Sequence, residues 1–161
     1  MNDEPNNLTP PALDPADLPV RTGSPYPAPF DALCAGRDKR ALGNALGLTN
    51  FGVNLVTLRP GAASAQRHWH TDQDEFIYVV EGDIMLITDA GEQVLGKGMI
   101  AGFPAGAADG HHLVNRGAAD ATYLEIGDRT EGDEVAYPDI DLALRIDDGK
   151  RVFVSKDGTP L

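Results

Sequence analysis

The sequence predicts an all-β fold, an antiparallel sandwich or barrel. Short runs of β-branched and aromatic residues recur between residues 50 and 126, and each run stops at a Gly-bearing turn. Strands at that spacing belong to sandwiches and barrels. The 18 glycines and 12 prolines of the 161-residue chain also favour a turn-rich β fold over a helical bundle.

Residues 1–30 hold eight of the twelve prolines, among them Pro10-Pro11 and Pro25, Pro27 and Pro29. Such a segment forms neither a helix nor a central strand, so an extended arm is expected. Its apolar residues, Leu13, Leu18, Val20, Tyr26 and Phe30, would lay part of it against a domain spanning residues 31–161. A short helix could begin near Phe30, Leu33 and Arg37, but Gly36, Gly43 and Gly47 interrupt it. Strands are then expected over Gly52–Leu58, Glu75–Val80, Asp83–Thr88, Gln93–Leu95, His112–Val114 and Ala121–Ile126. Asp89-Ala90-Gly91-Glu92 marks a hairpin. The tail, through Tyr137–Leu142 and Arg151–Ser155, could supply an edge strand.

A net charge of −12 argues against nucleic acid and anionic membranes, both of which need a basic surface. No run reaches the ~20 apolar residues of a membrane span. The N-terminus has no basic and apolar leader pattern, and Cys34 is the only cysteine, so a cytoplasmic protein without an intrachain disulfide is expected. A buried or half-buried apolar role suits Cys34 better than a catalytic one.

All four histidines sit in two short segments. In a strand, the side chains of His68 and His70 share one face, which lets both nitrogens reach one ion through bonds of ~2.1 Å. Trp69 would point the other way. Glu75 opens the next strand and can add an oxygen ligand. In the second segment, if His111 faces inward, Leu113 and Asn115 share its face and His112 points out. A single strand histidine is more often an ordinary core or surface residue. Three histidines and a correctly spaced glutamate are harder to dismiss.

Residues 61–115 resemble the cupin superfamily. Its first motif reads here as Gly61, six residues, His68-Trp69-His70, four residues, Glu75, six residues, Gly82. Its second reads as Gly98, five residues, Pro104-Ala105-Gly106, four residues, His111, three residues, Asn115. This chain carries one extra residue before His68 and two between Gly106 and His111. Spacing to Asn115 selects His111, and strand parity agrees. The closest likeness is to small single-domain bacterial cupins without an established activity.

The resemblance implies a double-stranded β-helix, the jelly-roll barrel, with its motif core over residues 50–126. It implies one divalent metal ion held by His68, His70, Glu75 and His111. Gly61, Gly82, Gly98 and Gly106 would supply positive φ at turns, and Asn115 would brace a strand end or the metal ligands. Asp72, Asp74 and Glu81 read as solvated loop charges. Zn, Fe, Mn, Ni and Co all suit such a ligand set. The family allows dioxygenase, isomerase or decarboxylase chemistry on a small organic molecule. It allows equally a non-catalytic small-molecule binder or sensor, or a purely structural metal site. Tyr78, Tyr123 and Asp109 are the candidate general bases. A homodimer is expected, with the arm crossing onto the partner.

Overall fold

The computed structural model describes residues 8–147 and 150–161, so the first seven residues of the expected arm lie outside the described residues. Its first strands are β1 (Arg21–Thr22), β2 (Arg37–Arg40), β3 (Phe51–Leu58), β4 (Trp69–His70), β5 (Glu75–Glu81) and β6 (Ile84–Thr88). There follow β7 (Gly91–Leu95), β8 (Ile100–Phe103), β9 (His112–Val114), β10 (Ala121–Asp128), β11 (Val135–Ala136), β12 (Ala143–Asp147) and β13 (Lys150–Val154). One short helix, α1 (Leu42–Ala45), precedes β3.

Among the described residues the strands form a six-stranded sheet, β1-β2-β3-β10-β5-β8, a three-stranded sheet, β7-β6-β9, and a four-stranded sheet, β13-β12-β11-β4. Every pairing is antiparallel. Bridges Ala63–Val114 and His68–His111 continue β9 towards β4, and the whole is a jelly-roll barrel. Its interior follows the period of two. Ile77 and Val79 of β5 are buried while Phe76 and Tyr78 between them are exposed. Val56, Leu58, Val79 and Tyr123 of the large sheet pack with Ile84, Leu86 and Leu113 of the three-stranded sheet. A second cluster joins Tyr26 and Phe30, before β2, to Val135, Tyr137 and Leu142 near the C-terminus.

The four motif glycines all adopt positive φ, between 73° and 83°. Gly82 shows why: besides its φ of 77°, an added Cβ would lie 2.9 Å from the Asp120 carbonyl oxygen. Asn115 is fully buried and braces a strand end. Its side-chain amide donates to the carbonyls of Leu58 (2.7 Å) and Ala119 (2.8 Å), and its side-chain oxygen accepts from the Gly117 N–H. Cys34 is free and buried.

Three local expectations need correction. Residues 31–50 hold the short helix expected near Leu33, as a 3-10 turn over Ala32–Cys34, but also a strand, β2, and the short α1, because β2 finds a partner in β3. Residues 137–142 form turns, not an edge strand, since Pro138 has no N–H to donate; β13 takes the edge of the four-stranded sheet. β8 was not expected, because Ile100-Ala101-Gly102-Phe103 has two small residues and gains strand structure by pairing with β5.

Candidate metal centre

His68 and His70 reach one side of the barrel from the β4 segment, Glu75 from the start of β5, and His111 from the residue before β9. His68 and His111 are neighbours through a backbone bridge, their amides and carbonyls exchanging bonds of 3.1 and 2.8 Å. Parity within β4 sets the His68 and His70 rings on one face, centroids 5.1 Å apart.

The three histidine rings gather around one oxygen of Glu75. Glu75 Oε2 lies 2.9 Å from His111 Nε2, 3.5 Å from His70 Nε2 and 3.6 Å from His68 Nε2. Ligand atoms each ~2.1 Å from a shared ion, at tetrahedral or octahedral angles, stand about 3.0–3.4 Å apart. The 2.9 Å contact lies near that spacing and the 3.5 and 3.6 Å contacts just beyond it, so closing on an ion calls for small shifts of the rings. Among the described residues, ligand atoms of His68, His70 and Glu75 all lie within 4.8 Å of one another; His111 falls outside that group and joins it through its contact with Glu75.

Bonds behind two of the three rings leave Nε2 ready to ligate, while the buried His111 Nδ1 has no partner among the described residues. His68 Nδ1 donates to the Gln66 carbonyl at 2.8 Å; a carbonyl only accepts, so the neutral ring keeps its lone pair on Nε2. The Gln66 amide in turn donates to the Phe30 carbonyl at 2.7 Å, which ties the Pro-rich segment to a site residue. His70 Nδ1 donates to Asp133 at 2.6 Å, and the other Asp133 oxygen accepts from the Asp72 amide at 3.0 Å. Phe103 stacks flat on His111, ring centroids 3.5 Å apart.

Burial alone would raise the Glu75 pKa, but bonds to His111 and His68 hold it well below the usual carboxylate range. Burial alone would lower His68, yet the Glu75 carboxylate beside it raises its pKa. Such a carboxylate core gathers positive charge, whether protons or a cation.

His112 stands apart. Its Nδ1 donates to the Ala65 carbonyl at 3.0 Å, and burial lowers its pKa. Asp74 accepts from the Ala105 amide and Asp72 from the Thr71 hydroxyl, both as exposed loop contacts. Two of the three candidate bases are poorly placed, whereas Asp109 lines a small pocket together with His70, Glu75 and His111. Tyr78 is exposed on the outer face of its sheet, and burial holds the Tyr123 hydroxyl far above neutral titration. Exposed Asp109 accepts from the Asp89 amide.

Asp133 escaped sequence reasoning because it sits in an acidic loop with no spacing signal. Asp133→Asn, which preserves shape but weakens the hold on His70, should lower divalent-metal affinity about 10- to 100-fold. Competition against a chromophoric chelator checks this; unchanged affinity counts against the role.

His70 and Glu75 also face an open cavity of about 1310 Å³, bounded by residues 18–21, β2, β3, β10 and the loop to β11. No helix among the described residues is long and apolar enough to cross a membrane.

The cupin domain family matches residues 54–127. The chain is similar to the crystal structure of a sugar phosphate isomerase from a cupin superfamily, from Silicibacter pomeroyi. They share 46% identity over 94% of this chain and 96% of that one, with a TM-score of 0.89. A proposed sugar phosphate isomerase from Acidithiobacillus ferrooxidans matches at 30% identity over 78% of this chain and 80% of that one, TM-score 0.70. The polyketide cyclase RemF of Streptomyces resistomycificus shares the fold, at 18% identity over 80% of this chain and 85% of that one, TM-score 0.63. No curated protein matches the chain.

Proposed function

The chain belongs to the cupin superfamily, and from that premise we propose that it is a metal-dependent enzyme acting on a small oxygen-rich molecule in the barrel. The observation that carries this reading is the convergence of three Nε2 atoms within 3.6 Å of one Glu75 oxygen, beside a cavity large enough for a substrate. His68, His70, Glu75 and His111 would hold one Zn, Fe, Mn, Ni or Co ion. When bound, such an ion polarises a substrate oxygen. The chain's own residues orient the ligand rings through Gln66 and Asp133 and screen His111 behind Phe103.

Of the isomerase, dioxygenase and decarboxylase chemistries open to the family, isomerisation of a sugar phosphate has the best support. The descriptions of the Silicibacter and Acidithiobacillus proteins both point to it. Metal-loaded protein incubated with aldose and ketose phosphates of three to six carbons should interconvert at least one pair, read by NMR. If fully loaded protein converts none, the isomerase assignment fails.

The reading takes residues 31–161 as one domain with an arm over residues 1–30, and places the protein in the cytoplasm. It also includes a homodimer. Phe76, Tyr78 and Ile100 project from the outer face of β5 and β8, and Ile100 is 59% exposed. Leu124 and Ile126 of β10 continue this apolar face towards the sheet centre. A second copy of the same face would cover it. Light scattering should give a dimer at micromolar concentration and a monomer for Ile100→Lys; a wild-type monomer excludes it.

A further inference from the structure

Inside the barrel, next to the candidate metal centre, lies a second polar cluster. Glu125 of β10 is directly opposite Ile77 of β5, and Gly127 is opposite Glu75. Glu125 and Glu75 therefore share a face as diagonal neighbours on adjacent strands. Glu125 Oε1 accepts from Lys39 Nζ at 2.7 Å and from the Asn54 side-chain amide at 3.0 Å. The buried Arg37 guanidinium stands 3.9 Å from Oε2. Burial alone would raise the Glu125 pKa, but Lys39 and Arg37 outweigh it and keep the carboxylate ionised. A carboxylate, an ammonium and an amide thus line a barrel whose neighbouring rows are apolar.

Packing does not account for this expense. The Lys39 and Glu125 side chains are half-buried, 18% and 22% exposed, and an ion pair at that depth contributes little net stability where apolar residues of similar volume would serve as well. Glu125, Lys39 and Asn54 all line the same cavity as His70 and Glu75. The Glu125 carboxylate has four lone-pair directions, and Lys39 and Asn54 use two of them at Oε1. Oε2, beyond hydrogen-bond distance of Arg37, is left to accept from a hydroxyl in the cavity. Towards the rim, the Arg21 guanidinium has no partner among the described residues. Arg129 uses its guanidinium on the Leu48 carbonyl and the Asn44 side chain, with no carboxylate pairing it among the described residues. The rim thus has cations for an anionic end, although Asp128 and Glu131 lie there too and limit how much negative charge it accepts.

We propose that Glu125, fixed by Lys39 and Asn54, is a specificity-determining group that accepts a hydrogen bond from a hydroxyl of a polyhydroxylated, anionic substrate. This deepens the functional reading above and rests on it. A site built around a buried acceptor rejects an analogue lacking the matching hydroxyl, because the carboxylate is then desolvated without a partner.

The test uses full-length, metal-loaded protein and calorimetry. The probes are three- to six-carbon aldose and ketose phosphates, their free sugars, singly deoxygenated analogues of the tightest binder, and inorganic phosphate. Glu125→Gln should keep full metal stoichiometry and bind the tightest probe about 10- to 100-fold more weakly. One deoxy analogue should show a similar loss on the wild type and little further loss on Glu125→Gln, which a merely structural role would not produce. Asn54→Ala, which leaves the Lys39–Glu125 pair in place, should weaken the same probe less and guards against a misfolded first variant. Binding unchanged in both variants overturns the proposal, as does a deoxy series that loses affinity equally on wild type and variant. If wild-type protein takes up metal but no sugar, the proposal fails while the metal centre stands. If it takes up no metal, the functional reading fails first.

Discussion

His111→Ala should empty the metal site, and His112→Ala should leave it full. The two histidines are adjacent in sequence, so composition and local charge change equally in both variants. Only geometry separates them. His111 Nε2 lies 2.9 Å from Glu75 Oε2, whereas His112 donates to the Ala65 carbonyl. Four-ligand zinc sites bind with ~10–16 kcal/mol, so losing one ligand costs on the order of 3 kcal/mol. That is at least ~100-fold in affinity. Losing the His112 hydrogen bond costs about 1 kcal/mol of folding stability and no metal. Elemental analysis of both variants, purified without a chelating tag, reads the difference. Equal metal content, or loss only in His112→Ala, contradicts the assignment.

The metal-free cluster should contribute less stability as pH rises from 6 to 8, against the opposite slope of His112, whose pKa burial lowers. His68 has its pKa raised in the folded chain, so its contribution is fully present below the unfolded value of ~6.5 and is lost as pH climbs through the folded value. Glu75 is depressed, so its contribution is present above ~4.3 and lost as pH falls through the folded value. Stability of the metal-free form from this cluster is therefore greatest between about pH 5 and 6.5. Metal reverses the trend, because it binds neutral imidazole and competes with protons for the same nitrogens. In a His112→Ala background, which removes that opposing slope, melting temperatures with chelator should fall from pH 6 to 8, while the gap between metal-loaded and metal-free protein widens. A metal-free melting temperature that rises across this range in that background contradicts the account of the cluster.

The extent to which these features can be read from the sequence depends on how local their cause is. His68 and His70 are two apart in a strand, and Glu75 follows a short link, so parity alone brings them together. The motif glycines are equally local, since each turn demands its own positive φ. Glu125 lies 86 residues from Lys39 and 71 from Asn54 in the chain, and only the β2-β3-β10 register joins them. One signal was present: Glu125 is two residues from Tyr123 in a strand, so a charged side chain shares the face of a core tyrosine. Asp133 gave no such sign, because its contact with His70 depends on how the loop before β11 folds back. β8 was hidden for the opposite reason, its small residues carrying no pattern until β5 pairs with them.

The central claim is that His68, His70, Glu75 and His111 form one metal site. It is tested most directly by melting the full chain at pH 7.5 with a divalent first-row metal and with chelator, at fixed total metal. Metal at ~100 times its dissociation constant contributes about 2.7 kcal/mol. For a chain of this size that is roughly 5–10 °C. The account predicts a shift of that size in wild type with at least one of Mn, Fe, Co, Ni or Zn, and no more than about 1–2 °C in His111→Ala. Coincident melting temperatures with every metal and with chelator would contradict it, and the proposed metal-dependent function would fail with it.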